Sequence, residues 1–88
     1  MALYAVSYQL NKTKNYPDLW KALDDLEAHK AMNDFYLLDN TASTREIGEY
    51  LRGFIDDDDF IFVVPFVTRP YKYRCFEGTK AWLDERFG

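Results

Sequence analysis

The sequence predicts a small α+β domain: an antiparallel sheet carrying two helices on one face, followed by a C-terminal tail or short helix. Three observations predict it. Apolar residues recur at helical spacing in two separate stretches, Leu19 to Leu26 and Ile47 to Phe54. Segments of period-two or fully apolar patterning flank those stretches. The chain of 88 residues suffices for one domain and is short for two.

The first strand runs from Ala2 to Leu10. Tyr4, Val6, Tyr8 and Leu10 share one face, and Leu3, Ala5, Ser7 and Gln9 share the other. A polar loop, residues 11–15, follows. Pro17 suits a first helical turn, where no N–H is needed. Leu19, Leu23 and Leu26, widened by Trp20, form an apolar stripe, so a helix is expected from about Pro17 to Ala28. Lys30 to Asp39 alternates as an extended segment. Its central Asn33-Asp34 pair either bends one strand or separates two. Asp39-Asn40-Thr41 reads as a turn.

Ser43 and Glu46 have capping-box spacing. Ile47, Tyr50, Leu51 and Phe54 then define a second helix, about Thr44 to Ile55. Gly48 lies one residue from that stripe and reads as a mark of close packing. Four consecutive aspartates, Asp56 to Asp59, oppose the macrodipole at a helix C-terminus, so the helix should end before them. Phe60 to Val67 is apolar on both faces, the pattern of a strand covered on both sides. Pro65 cannot donate to a ladder and marks a bulge or an edge. In the tail, Thr79 could cap a short helix carrying Trp82, Leu83 and Phe87. Residues 1–68 thus form the core, and 69–88 a basic-aromatic segment and tail of the same domain.

Composition narrows the function. Apolar residues make up 48% and aromatic residues 18%, more than a domain of this size easily hides, which suggests a partner surface. A net charge of −4 argues against a dedicated nucleic-acid binder, without excluding a local basic patch. The one cysteine, Cys75, excludes an internal disulfide and a Cys-rich zinc site. No apolar run approaches the roughly 20 residues of a membrane span. Met1-Ala2-Leu3-Tyr4 lacks a signal peptide's basic region. The expectation is a cytoplasmic protein with no cofactor and no membrane contact.

Two amphipathic helices interleaved with strands imply the ferredoxin-like β-α-β-β-α-β plan, with right-handed crossovers placing both helices on one face. The other face would then carry Leu3, Ala5 and Ser7 and one apolar row of Phe60 to Val67. A homodimer formed face to face is the simplest cover. The alternative cover is the chain's own tail, folded back with Trp82 and Phe87.

The order and spacing also carry a resemblance. A first strand ending Ser7-Tyr8-Gln9-Leu10 leads into a helix, and Phe35-Tyr36-Leu37-Leu38 leads through small polar residues into the Ser43–Phe54 helix. An Asp-rich turn then precedes Phe60-Ile61-Phe62-Val63-Val64. Over residues 2–67 this resembles the CRISPR-associated Cas-two superfamily. The small SinR-family proteins look nearest within it, through Arg69-Pro70 and Gly78-Thr79-Lys80-Ala81-Trp82-Leu83. The resemblance implies a ferredoxin-like homodimer that either cleaves nucleic acid with a divalent metal or holds it without cleavage. It places a catalytic aspartate at the end of the first strand, where this chain has Gln9. A neutral amide cannot hold Mg²⁺ or lower the pKa of its water.

Among candidate sites, Asp56, Asp57, Asp58 and Asp59 offer hard-cation ligands, but without the spacing of a calcium loop they read mainly as a solvated turn. Arg69, Tyr71, Lys72, Tyr73 and Arg74 combine cations with stacking platforms, as single-strand binders do. Set against that, the tyrosines could pack on the core and the cations balance the acidic run. His29 is expected at the C-terminal end of the first helix, where a cation suits the dipole. Cys75 beside Arg74 and Lys72 reads as a partly buried thiol. The reading favoured is a non-catalytic, homodimeric Cas-two-like module contacting nucleic acid or a protein partner. An acidic protein-binding regulator from a mobile element, and a Mg²⁺-dependent nuclease using Asp34 or Asp39, are the alternatives.

Overall fold

Strand β1 (Ala2–Gln9) lies inside a four-stranded antiparallel sheet of order β2-β3-β1-β4. The computed structural model describes residues 2–10 and 16–87, so the predicted polar loop at 11–15 lies outside the described residues. The remaining elements are α1 (Pro17–Asp25), β2 (His29–Met32), β3 (Phe35–Asn40), α2 (Thr44–Arg52), β4 (Phe60–Phe66) and α3 (Thr79–Phe87). This α+β architecture is compatible with the ferredoxin-like plan. In the sheet β3 pairs between β2 and β1, and β4 pairs on the other side of β1.

Alternation along β1 builds two cores. Tyr4, Val6 and Tyr8 are buried with Tyr36 and Leu38 of β3 against Leu19, Ala22 and Leu23 of α1 and Ile47 and Leu51 of α2. Ile61 and Val63 of β4 close that layer. On the reverse face Ala31, Leu37 and Leu83 are buried, with Ala5, Phe35, Phe66, Trp82 and Phe87 packed around them. The sheet is therefore sandwiched between α1 and α2 on one side and α3 on the other.

Local chemistry sets the boundaries. Helix α1 ends at Asp25 with Leu26 as its C-cap, earlier than the predicted Ala28, in a Schellman-type end: Ala28 N–H donates to the Leu23 carbonyl (3.0 Å) and Glu27 N–H to that of Asp24 (2.9 Å). Glu27 takes the left-handed conformation, φ 59°, which glycine usually fills. The stop carried no glycine and so gave no signal. The predicted capping box of α2 is present: Ser43 Oγ accepts from Glu46 N–H (3.1 Å), and Glu46 Oε1 accepts from Ser43 N–H (2.9 Å). α2 ends at Arg52, ahead of the aspartates as expected, and tightens through Phe54 N–H to the Leu51 carbonyl (3.0 Å).

Asn33-Asp34 separates two strands, with Asp34 left-handed at φ 59°. The segment Asp39-Asn40-Thr41 corrects the predicted turn, since β3 runs through Asn40, which pairs with Ala2. The Asn40 side chain then closes the bend by accepting from Ala42 N–H (2.8 Å). Pro65 sits on β4 at the edge of the sheet, where a missing donor is harmless. A β-carbon at Gly48 would lie 4.0 Å from Val63 Cγ2, ordinary contact, so close packing does not demand glycine there.

Two substitutions test this account of the helices. Gly48→Ala and Glu27→Gly are each expected to stabilise the fold by up to about 1 kcal/mol, one through helix propensity and the other by relieving a left-handed residue. Each should raise the midpoint of urea unfolding without changing its slope.

Candidate functional site

The reverse face of the sheet gathers the unusual chemistry. After β4 the chain crosses over that face as a strap, residues 67–78, and returns as α3. Phe76 N–H donates to the Ala31 carbonyl (2.8 Å), clipping the strap to β2. Thr79 Oγ1 donates to the Phe76 carbonyl (2.7 Å). The hydroxyl's single proton is thereby committed, so His29 Nε2, at 2.8 Å, is the donor to Thr79 Oγ1. Two expectations are corrected by this relay. Thr79 does not cap α3 from outside but opens it, its hydroxyl turned back to the strap. His29 is not at the end of α1; it begins β2, beside the N-terminus of α3.

Gly78, at φ +94°, makes the entry to α3 possible, and a β-carbon there would approach His29 Cε1 to 3.2 Å. At the far end of α3, Arg86 Nε donates to Asp39 Oδ2 (2.8 Å) and Nη1 to the Trp82 carbonyl (3.0 Å), while its guanidinium lies 3.9 Å from the Trp82 ring centroid. Phe87 stacks on Phe66 at 6.2 Å. Tail packing therefore covers the half of the face that holds Ala5, Ala31 and Leu37.

The rest stays open. Phe60 is 59%, Phe62 69% and Val64 41% exposed, in one row along edge strand β4. Ser7, opposite Phe62, is exposed beside them, whereas Ala5 packs against the α3 cluster of its own chain and Leu3 is half-buried. The expected open face is thus narrowed to its β4 side, because the tail already occupies the β2 side.

The basic-aromatic residues are not equivalent. Arg69 is engaged by Asp84 (2.7 Å), which also takes Lys80 (2.8 Å); the two cations hold the Asp84 carboxyl below the usual carboxylate range. Arg74 lies 5.5 Å from the Tyr73 ring centroid. Tyr71 and Tyr73 are 91% and 72% exposed, so neither packs as a core residue. Lys72 is half-buried and makes no ion pair among the described residues. Cys75 is half-buried, as expected.

Gln9, exposed at the end of β1, pairs with Phe60. It shares an open cleft of about 1170 Å³ with Ser7, Glu49, Arg52, Asp56 and Asp59. Oxygens of Asp56, Asp58 and Asp59 come within 4.8 Å of one another, closer than adjacent residues in an extended turn would allow. Asp59 closes that turn by accepting from Asp56 N–H at 2.9 Å. Asp34 and Asp39 are not brought together: one forms the β2–β3 turn and the other, at the far end of β3, is held by Arg86.

A phenol network lies on the helix-covered face and was not foreseen. Trp20 Nε1 donates to the Tyr8 hydroxyl (3.1 Å), and Tyr8 and Tyr36 stack at 6.2 Å. Burial, then the neighbouring Tyr8, pushes the Tyr36 pKa up to about 12; burial also raises that of Tyr8. Both remain neutral hydrogen-bonding groups of the core.

No protein-family model matches the chain, and no solved structure matches it. No helix among the described residues is long and apolar enough to cross a membrane.

His29 supplies a pH test of the strap. Burial lowers its pKa below the usual 6.5, so the folded state favours the neutral ring. The sign follows: stability is full above the unfolded value and is lost as pH falls through it to the lower folded value. Between about pH 7 and 5, the wild-type unfolding midpoint should fall and that of His29→Gln should fall less. Equal slopes in denaturation series across this window would remove His29 as the cause.

Proposed function

We propose that this chain is a non-catalytic, homodimeric binding module of the Cas-two-like type, built on the ferredoxin-like plan. The observation that carries the reading is the open row Phe60, Phe62 and Val64 on an edge strand. Burying a large apolar side chain contributes about 1.5–3 kcal/mol, and a twofold axis counts each one twice. An unpaired strand edge with such a face is otherwise an aggregation hazard. Charge supports a second copy as the cover. The acidic turn Asp56–Asp59 precedes β4 and the cationic strap follows it. Packing the two open rows face to face, with the β4 strands antiparallel about a twofold axis, would bury both rows and set each acidic turn beside the partner's strap.

Gln9 supports a non-catalytic role, since an amide beside the acidic turn supplies neither the charge for Mg²⁺ nor a general base. The module's contact with nucleic acid draws support from Tyr71 and Tyr73, whose exposed rings offer stacking platforms next to Lys72 and Arg74.

Sedimentation equilibrium should give twice the 10.4 kDa chain mass, with dissociation favoured by added salt. Phe62→Glu should weaken self-association by at least about a hundredfold while leaving the circular dichroism spectrum unchanged. A wild-type mass of one chain at high protein concentration would overturn the dimer. Separately, fluorescence anisotropy with a labelled single-stranded oligonucleotide should show salt-dependent binding that Tyr73→Ser and Arg74→Gln together weaken by about tenfold or more. Binding that both changes leave intact would discard the strap as the contact.

A further inference from the structure

Beneath the strap lies a cavity of about 360 Å³, within the size range of small-molecule sites. Its floor is the reverse face of the sheet, with Ala5, Ala31, Leu37 and Phe66, and Leu83 of α3 closes one side. Two features make this space available. Ala5 and Ala31 carry the smallest apolar side chains where the sheet meets the strap, and the clip between Phe76 and Ala31 anchors the strap at the β2 edge. Thr79 also lines the chamber, but its hydroxyl is committed to Phe76 and His29, leaving little polar demand within.

One charged residue lines this apolar chamber: Lys72. The same lysine, with Pro70 and Tyr71, also lines a shallow groove of about 470 Å³ on the outer side of the strap, completed by Arg69 and Lys80. Pro70-Tyr71-Lys72 is therefore a wall between an apolar interior and a cationic exterior. Arg69 and Lys80 share the single carboxylate of Asp84, whereas Lys72 has no counter-ion among the described residues. A half-buried ammonium without a partner is costly, and an anion that pairs with it would offset the cost.

We infer that the chamber under the strap binds a small amphiphile, a medium-chain carboxylate whose alkyl body fills the apolar cavity and whose head group pairs with Lys72 at the strap wall. The alkyl chain meets Leu37, Phe66 and Leu83, and the carboxylate stays at the boundary, where it keeps part of its hydration. Of the open β4 row the chamber shares Val64 and neither Phe60 nor Phe62, so loss of the dimer leaves its floor of Ala5, Ala31, Leu37 and Phe66 in place.

Octanoate is the probe, titrated by calorimetry into the wild-type protein and into Phe62→Glu. One equivalent per chain should bind in both, so failure of the dimer and failure of this site are told apart. Acetate, which lacks the body, should not bind measurably. Octanol, which lacks the charge, should bind on the order of tenfold more weakly than octanoate, the factor expected for a hydrogen bond to a charged group. Lys72→Met should remove that preference without changing octanol affinity. Val64→Trp, which adds bulk at the rim rather than in the core, should weaken both ligands. Octanoate binding no tighter than acetate, saturation at several equivalents, or a Lys72→Met protein that keeps the preference would each overturn the assignment.

Discussion

Strand β1 is the constraint on which the molecule turns, because it is hydrogen-bonded on both edges, buried on its helix-facing side at Tyr4, Val6 and Tyr8, and packed on the reverse side at Ala5. Its antiparallel partners β3 and β4 fix its register, so a slip of one residue would exchange Tyr4, Val6 and Tyr8 with Ala5 and Ser7. Such a slip would place large side chains where the strap and α3 need small ones. It would also remove the Tyr8 hydroxyl from Trp20 and Tyr36. The pairing register is thus enforced by two different cores at once, one made of bulk and one made of space.

The second face is held by polar and aromatic links at the two ends of α3. At the N-terminal end, the relay from His29 through Thr79 to Phe76 ties the helix and strap to β2. At the other, Arg86 bridges Asp39 of β3 and the Trp82 ring. Between these anchors the buried Leu83 is the main apolar contact. A helix fixed at both ends over small residues need not press on the sheet along its whole length, which is how a chamber persists beneath the strap. The same arrangement reaches β4 at Phe66, so the row Phe60, Phe62 and Val64 on that strand stays uncovered. Chamber and open row are therefore consequences of one short tail crossing a four-stranded sheet.

The two ends of β4 differ in charge. The acidic turn enters it and the cationic strap leaves it, and Asp84 compensates part of the strap's charge within the chain. The net −4 of the whole chain hides this polarity. A global charge therefore says little about which local surface a partner would meet, and the strap remains the place where cations and exposed rings coincide.

Much of the fold was legible from periodicity. The stripes Leu19–Leu23 and Ile47–Leu51, the alternation of β1, the capping box at Ser43 and the edge proline Pro65 each follow from local chemistry, which the neighbouring residues determine. The end of α1 was not legible, since Glu27 adopts a backbone conformation that its residue type does not announce. His29 was misplaced for a related reason: the early stop of α1 shifts it onto β2, and only then does it meet Thr79, fifty positions away. The candidate site was partly legible, because the exposed tyrosines of the strap and the apolar row of β4 stand out in the sequence. What the sequence by itself determined is which residues alternate, which coil and which must find cover. Which face the tail covers, which cations it neutralises and what space it leaves were decided only by the tertiary structure, because these depend on contacts between residues distant in the chain.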